Sequence, residues 1–202
     1  MRTVKILRPD QELIMRFVDA FGGGAAVLGT NKHARPGFFL FAHTFIHEYI
    51  EEGFFKKEEF LLRALEEEGF PADDGPIGSM RTEQKKSREA ADVLFNASKA
   101  WQAGEEEARV DVGWAASEYS STLRKHMDRL KNLIFPLLEQ NISPEGEHKI
   151  AEGINNIVFE GSMKSGPEKY EELIDTLEEE LSEWKCSRND GPASPSFSFN
   201  SC

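Results

Sequence analysis

PGFFLFAHTFIHEYIEEGFFKKEEFLLRALEEE, from Pro36 to Glu68, is the stretch that decides the fold class. Phe39, Phe41, Phe45, Ile46, Ile50, Phe54, Leu61, Leu62 and Leu65 recur at helical spacing, and Pro36 suits a first helical turn. One long amphipathic helix is expected here. Upstream, Pro9 and Asp10 read as the opening of a first helix with Leu13, Ile14, Phe17, Val18 and Phe21 on one face, interrupted by Gly22, Gly23 and Gly24. Downstream, GFPADDG (Gly69 to Gly75) is a turn by composition, Pro76 opens a third helix to about Ala103, and a fourth runs from Glu106 to Gln140, where Pro136 predicts a kink.

Four long apolar-faced helices with short joins predict an all-α, up-down four-helix bundle over residues 1–142. Ser143, Pro144 and Glu145 cap a shorter helix to about Glu160, and SGPEKYEELIDTLEEELSEW (Ser165 to Trp184) makes another. These two additional C-terminal helices, residues 143–185, are expected to pack on the bundle. Residues 186–202 are Ser, Pro and Asn rich without periodicity and are expected to be a disordered tail.

The 202 residues carry a formal net charge of -12, with 24 Lys plus Arg against 36 Asp plus Glu. More than half of that excess falls in residues 143–185, which carry -8. Such a chain, without Lys/Arg clusters, is not expected to bind nucleic acid or an anionic membrane. No stretch approaches the ~20 apolar residues of a membrane span, and the N-terminus has no secretory signal, so the expected location is cytoplasmic. The two Cys, Cys186 and Cys202, sit where no disulfide could organise the fold.

Chemistry in a bundle is built from inward side chains on facing helices. At about 100° per residue, His43, His47, Phe54 and Glu58 share one face within about 60°, with Glu51 and Phe55 beside it. His43 and His47 stand at the i, i+4 spacing of helix-borne metal motifs, and Glu51 continues the column. Gly22 to Gly24 lack the Lys and Ser/Thr of a phosphate loop, follow no strand, and read as a kink or turn.

Several segments together resemble the hemerythrin-like (HHE) domain family. DQELIMRFVDAF is similar to a first family helix that reads D-H-E, and FFKKEE at Phe54 to Glu59 stands where the family has H-H-x-K-E-E. DGPIGSMRTEQKKSR (Asp74 to Arg88) resembles G-P-x-x-x-M-x-x-E-H-x-x-x-R, and HMDRLKNLIFPLLE (His126 to Glu139) resembles H-I-x-x-E-x-x-x-L-F-P-L. The resemblance implies a four-helix bundle around a non-haem di-iron centre used in oxygen binding, redox sensing or iron handling.

At the ligand positions the chain departs from that pattern. Gln11, Phe54, Phe55, Gln84 and Leu130 replace ligands, leaving Glu58 and His126. Phe has no donor atom and Gln is a weak neutral ligand for iron. The reading is therefore a degenerate member without a di-iron centre, binding a small organic ligand or a protein partner through a remodelled core lined by Gln11, Phe54, Phe55, Glu58, Gln84, Arg88, His126 and Leu130. No cofactor is expected; iron is the alternative, and any metal would fall to Glu58, His126, His47 and His43. A second alternative makes His126 and Glu58 a catalytic acid/base pair in an apolar pocket.

Overall fold

The computed structural model describes residues 1–30, 33–162, 166 and 168–186. Among them the chain is α-helical with no strand. The expected tail, with Cys202, lies almost wholly outside the described residues; Cys186 closes the last helix as an exposed free thiol.

Helix α1 (Arg2–Leu28) corrects the first-helix boundaries at both ends. It starts before Pro9, which is accommodated because Pro9 and Lys5, whose carbonyl loses its partner, both face solvent. It also runs through all three glycines, which here permit close packing instead of a kink. A Cβ on Gly24 would sit 2.5 Å from the Phe38 ring, and one on Gly23 would sit 2.7 Å from Leu181.

The decisive stretch forms one continuous rod in three parts: α2 (Pro36–Phe45), a π-helical segment (Ile46–Phe54) and α3 (Phe55–Glu67). The widened turn closes with the Phe55 N–H donating to the Ile50 carbonyl, five residues back. Gly69 (φ 93°) ends the rod in a conformation that suits only glycine without strain. Asp74 then caps α4 (Gly75–Gln102) by accepting a 2.8 Å bond from the Gly75 N–H.

Helix α5 (Ala108–Arg129) passes through a second π segment (Leu130–Ile134) into α6 (Phe135–Asn141). Pro136 lacks the N–H that would bond four residues back, and the wide turn just before it is where the expected kink is absorbed. Helices α7 (Pro144–Ser162) and α8 (Glu168–Cys186) complete the chain.

Helix α4 lies antiparallel to α5, with Glu83 against Arg129 at one end and Trp101 against Arg109 at the other. Helix α5 also packs along α1, and α2 along α4, while α8 leans on α1 and α2 and α7 on α3 and α1. One core results. Phe17, Phe21, Phe38, Phe39 and Phe45 interleave with Tyr119, Trp101 and, from α8, the buried Trp184, which lies 4.8 Å from Phe38. The acidic face of α8 is partly neutralised inside the molecule, because Arg16 pairs with Glu178 and Asp175 and Arg35 pairs with Glu180 at 2.7 Å.

Candidate functional site

Glu58 lies one turn beyond the first π segment, and His126 lies one turn before the second. Both π segments thus flank the only two side chains left of the implied ligand set. Gln84 faces them from α4. Glu58 Oε2 accepts a 2.6 Å hydrogen bond from Gln84 Nε2 and stands 2.8 Å from His126 Nε2. The side chains of Glu58 and His126 are wholly buried, and Gln84 nearly so.

The cluster continues outward. His126 Nδ1 is 3.3 Å from Glu83 Oε2, at ion-pair distance though without hydrogen-bond alignment. The Arg129 fork holds Glu83, with Nη2 2.9 Å and Nε 3.1 Å from Oε1. Burial alone would strip the His126 proton. The carboxylates of Glu58 and Glu83 outweigh it, so the imidazole pKa is pushed up to about 9 and the ring is an imidazolium at neutral pH. Burial also raises Glu83, but His126 and Arg129 reverse this and hold it below the ordinary carboxylate value.

Apolar groups surround the pair. Phe55 meets the imidazole edge to face at 5.5 Å and carries the Arg88 guanidinium over its ring, also at 5.5 Å. Phe54 touches Phe55, and Leu130, one turn after His126, is fully buried. Arg88 itself is exposed and pairs with neither Glu58 nor His126. Gln11 is half-buried on α1, and among the described residues no hydrogen bond joins it to the cluster. The proposed lining thus divides into a hydrogen-bonded trio, an apolar wall and two outlying polar residues.

The residues present do not fit a di-iron centre. One carboxylate, one imidazole and one amide converge, their polar atoms face one another, and the other walls are hydrocarbon. Among the described residues, no three His, Cys, Asp or Glu side chains are grouped so as to hold a metal ion. His43 and His47 stand outside this cluster, half-buried and exposed respectively, in the groove between the α2 rod and α4.

Sequence reasoning missed Glu83 and Arg129, although Arg129 follows His126 by three residues on the same helix face. It also missed Asp10 as a buried anchor. Asp10 Oδ1 accepts from the Tyr49 hydroxyl at 2.6 Å and Oδ2 meets Lys57 Nζ at 2.9 Å, tying α1 to the second rod. The signal was available, since Asp10 stands at i−4 and i−7 from the core residues Ile14 and Phe17.

Beside Glu83 and Arg129 a cleft of about 310 Å³ opens, bounded by Asp73, Asp74, Ser79, Thr82 and Lys86. No family model, curated protein or solved structure matches this chain. No described helix is long and apolar enough to cross a membrane.

Proposed function

We propose that this chain is a hemerythrin-like four-helix bundle, formed by α1, the α2–α3 rod, α4 and the α5–α6 rod, that works as a binding protein without a di-iron centre. The observation that carries this reading is the shared Glu58 Oε2, which engages both Gln84 and His126 inside an apolar wall. Protein groups use the donors that a metal would need. The cluster then orders the core and fixes Glu83 at its outer end.

Glu83 and Arg129 border the cleft, so a small polar organic molecule seated there contacts the outer end of the buried chain Glu83–His126–Glu58. The acid/base alternative is less well supported, because His126 and Glu58 are wholly buried and no substrate atom reaches them without opening of the core. The test is a thermal-shift screen of small polar metabolites on metal-free protein, repeated with Glu83→Gln. A ligand that stabilises the native protein and loses that effect in the variant supports the reading. Stabilisation only by iron contradicts it.

A further inference from the structure

The first π segment has a geometric consequence for the two histidines outside the cluster. Four residues turn an α-helix about 40° beyond a full revolution. In a π turn, which winds about 4.4 residues, they fall about 30° short of one. His43 lies just before the segment, and His47 and Glu51 lie within it. These offsets oppose each other, so the three side chains stay within about 30° of one line instead of drifting about 80°. The ring planes confirm the alignment, being only 10° apart at a centroid separation of 6.3 Å.

Each member is prepared for one task. His43 lies flat on Phe95 at 4.5 Å, and neither of its ring nitrogens has a hydrogen-bond partner among the described residues. Burial first, and His47 second, hold its pKa below the ordinary value against the opposing pull of Asp92, so its lone pair is free at neutral pH. His47 Nδ1 faces Glu51 Oε2 at 3.4 Å, which leaves Nε2 outward. A carboxylate on the second ring nitrogen is how proteins orient a metal-bound imidazole. Asp92 borders the column from α4 and acts electrostatically on both His43 and Glu51.

We propose that His43 and His47 form a site for a borderline divalent cation of the Zn²⁺ type, with Glu51 orienting His47 and with Asp92 and water completing the shell. Imidazole nitrogen selects such ions over Mg²⁺ or Ca²⁺. The rings, 6.3 Å apart, turn toward each other as the ion binds. This site is separate from the Glu58–His126 cluster and does not depend on the function proposed above.

The test is Zn²⁺ titration of the full chain carrying Cys186→Ser and Cys202→Ser, against a chromophoric chelator at pH 7.5, with circular dichroism to check folding. One Zn²⁺ per chain is expected. His43→Ala and His47→Ala should each weaken binding at least about tenfold, the double variant should abolish it, and Glu51→Gln should weaken it about tenfold. His126→Gln should leave it unchanged. Lack of binding by folded protein, or binding lost in His126→Gln but kept in the double His variant, overturns the proposal.

Discussion

Raising the pH from 6 to 10 removes the proton that His126 holds between Glu58 and Glu83, and the stability lost can be worked out from the structure. In the unfolded chain the imidazole titrates near 6.5, whereas in the folded protein it is held to about 9. Because the folded value is the higher one, the contribution is complete below pH 6.5 and disappears as the pH rises through 9. The difference corresponds to about 3 kcal/mol, at about 1.4 kcal/mol per pH unit. At about 2–4 °C per kcal/mol for a chain of this size, Tm should fall by about 6–12 °C across that window. Urea unfolding at pH 6, 7, 8, 9 and 10, run in parallel on His126→Gln, isolates the effect from other alkaline titrations. The variant should be less stable at pH 6 and should approach the native protein by pH 10. A native stability that stays flat to pH 10, or an identical pH profile in the variant, refutes the reasoning.

Other predictions rest on packing and on the second polar anchor. Gly24→Ala should destabilise by about 1–3 kcal/mol, because the added Cβ meets a Phe38 ring locked against Phe39 and Trp184. Gly113→Ala meets only an ordinary contact with Leu28 and should stabilise by about 0.5–1 kcal/mol in the same thermal assay. Asp10→Ala strands Lys57 and the Tyr49 hydroxyl together and should cost about 1–3 kcal/mol; exchanging Lys57 for Met in that background should recover part of the loss.

The helical class was legible because its signal is periodic. Phe39, Phe45, Ile46, Ile50, Phe54, Leu61, Leu62 and Leu65 recur as a buried stripe should, and all are buried. Residues whose local meaning competes with their tertiary use were misread. Gly22 to Gly24 normally punctuate a helix, yet the approach of Phe38 and Leu181 needs a missing Cβ more than α1 needs a break. Pro9 reads as a start only while the turn before it goes unnoticed. The π segments left no trace in the hydrophobic pattern, since a widened turn shifts the register without changing composition.

At the candidate site, Glu58, Gln84 and His126 were identifiable as side chains that come together, because each falls at an inward position of its own helix. Their outward extension was not, since Glu83 and Arg129 look like ordinary surface charges until α4 and α5 are laid side by side. Nor did composition reveal how the acidity is spent. Several carboxylates of α8 face Arg16 and Arg35 of the same molecule, so the charge of residues 143–185 is only partly available to a basic partner.

Iron content after expression and purification under iron-replete conditions tests the central claim most directly. The shared hydrogen bonds of Glu58 Oε2 and the hydrocarbon walls of Phe54, Phe55 and Leu130 predict folded protein with well below one iron per chain and no oxo-bridge absorption band. About two irons per chain, accompanied by that band and lost in His126→Gln, would contradict the account.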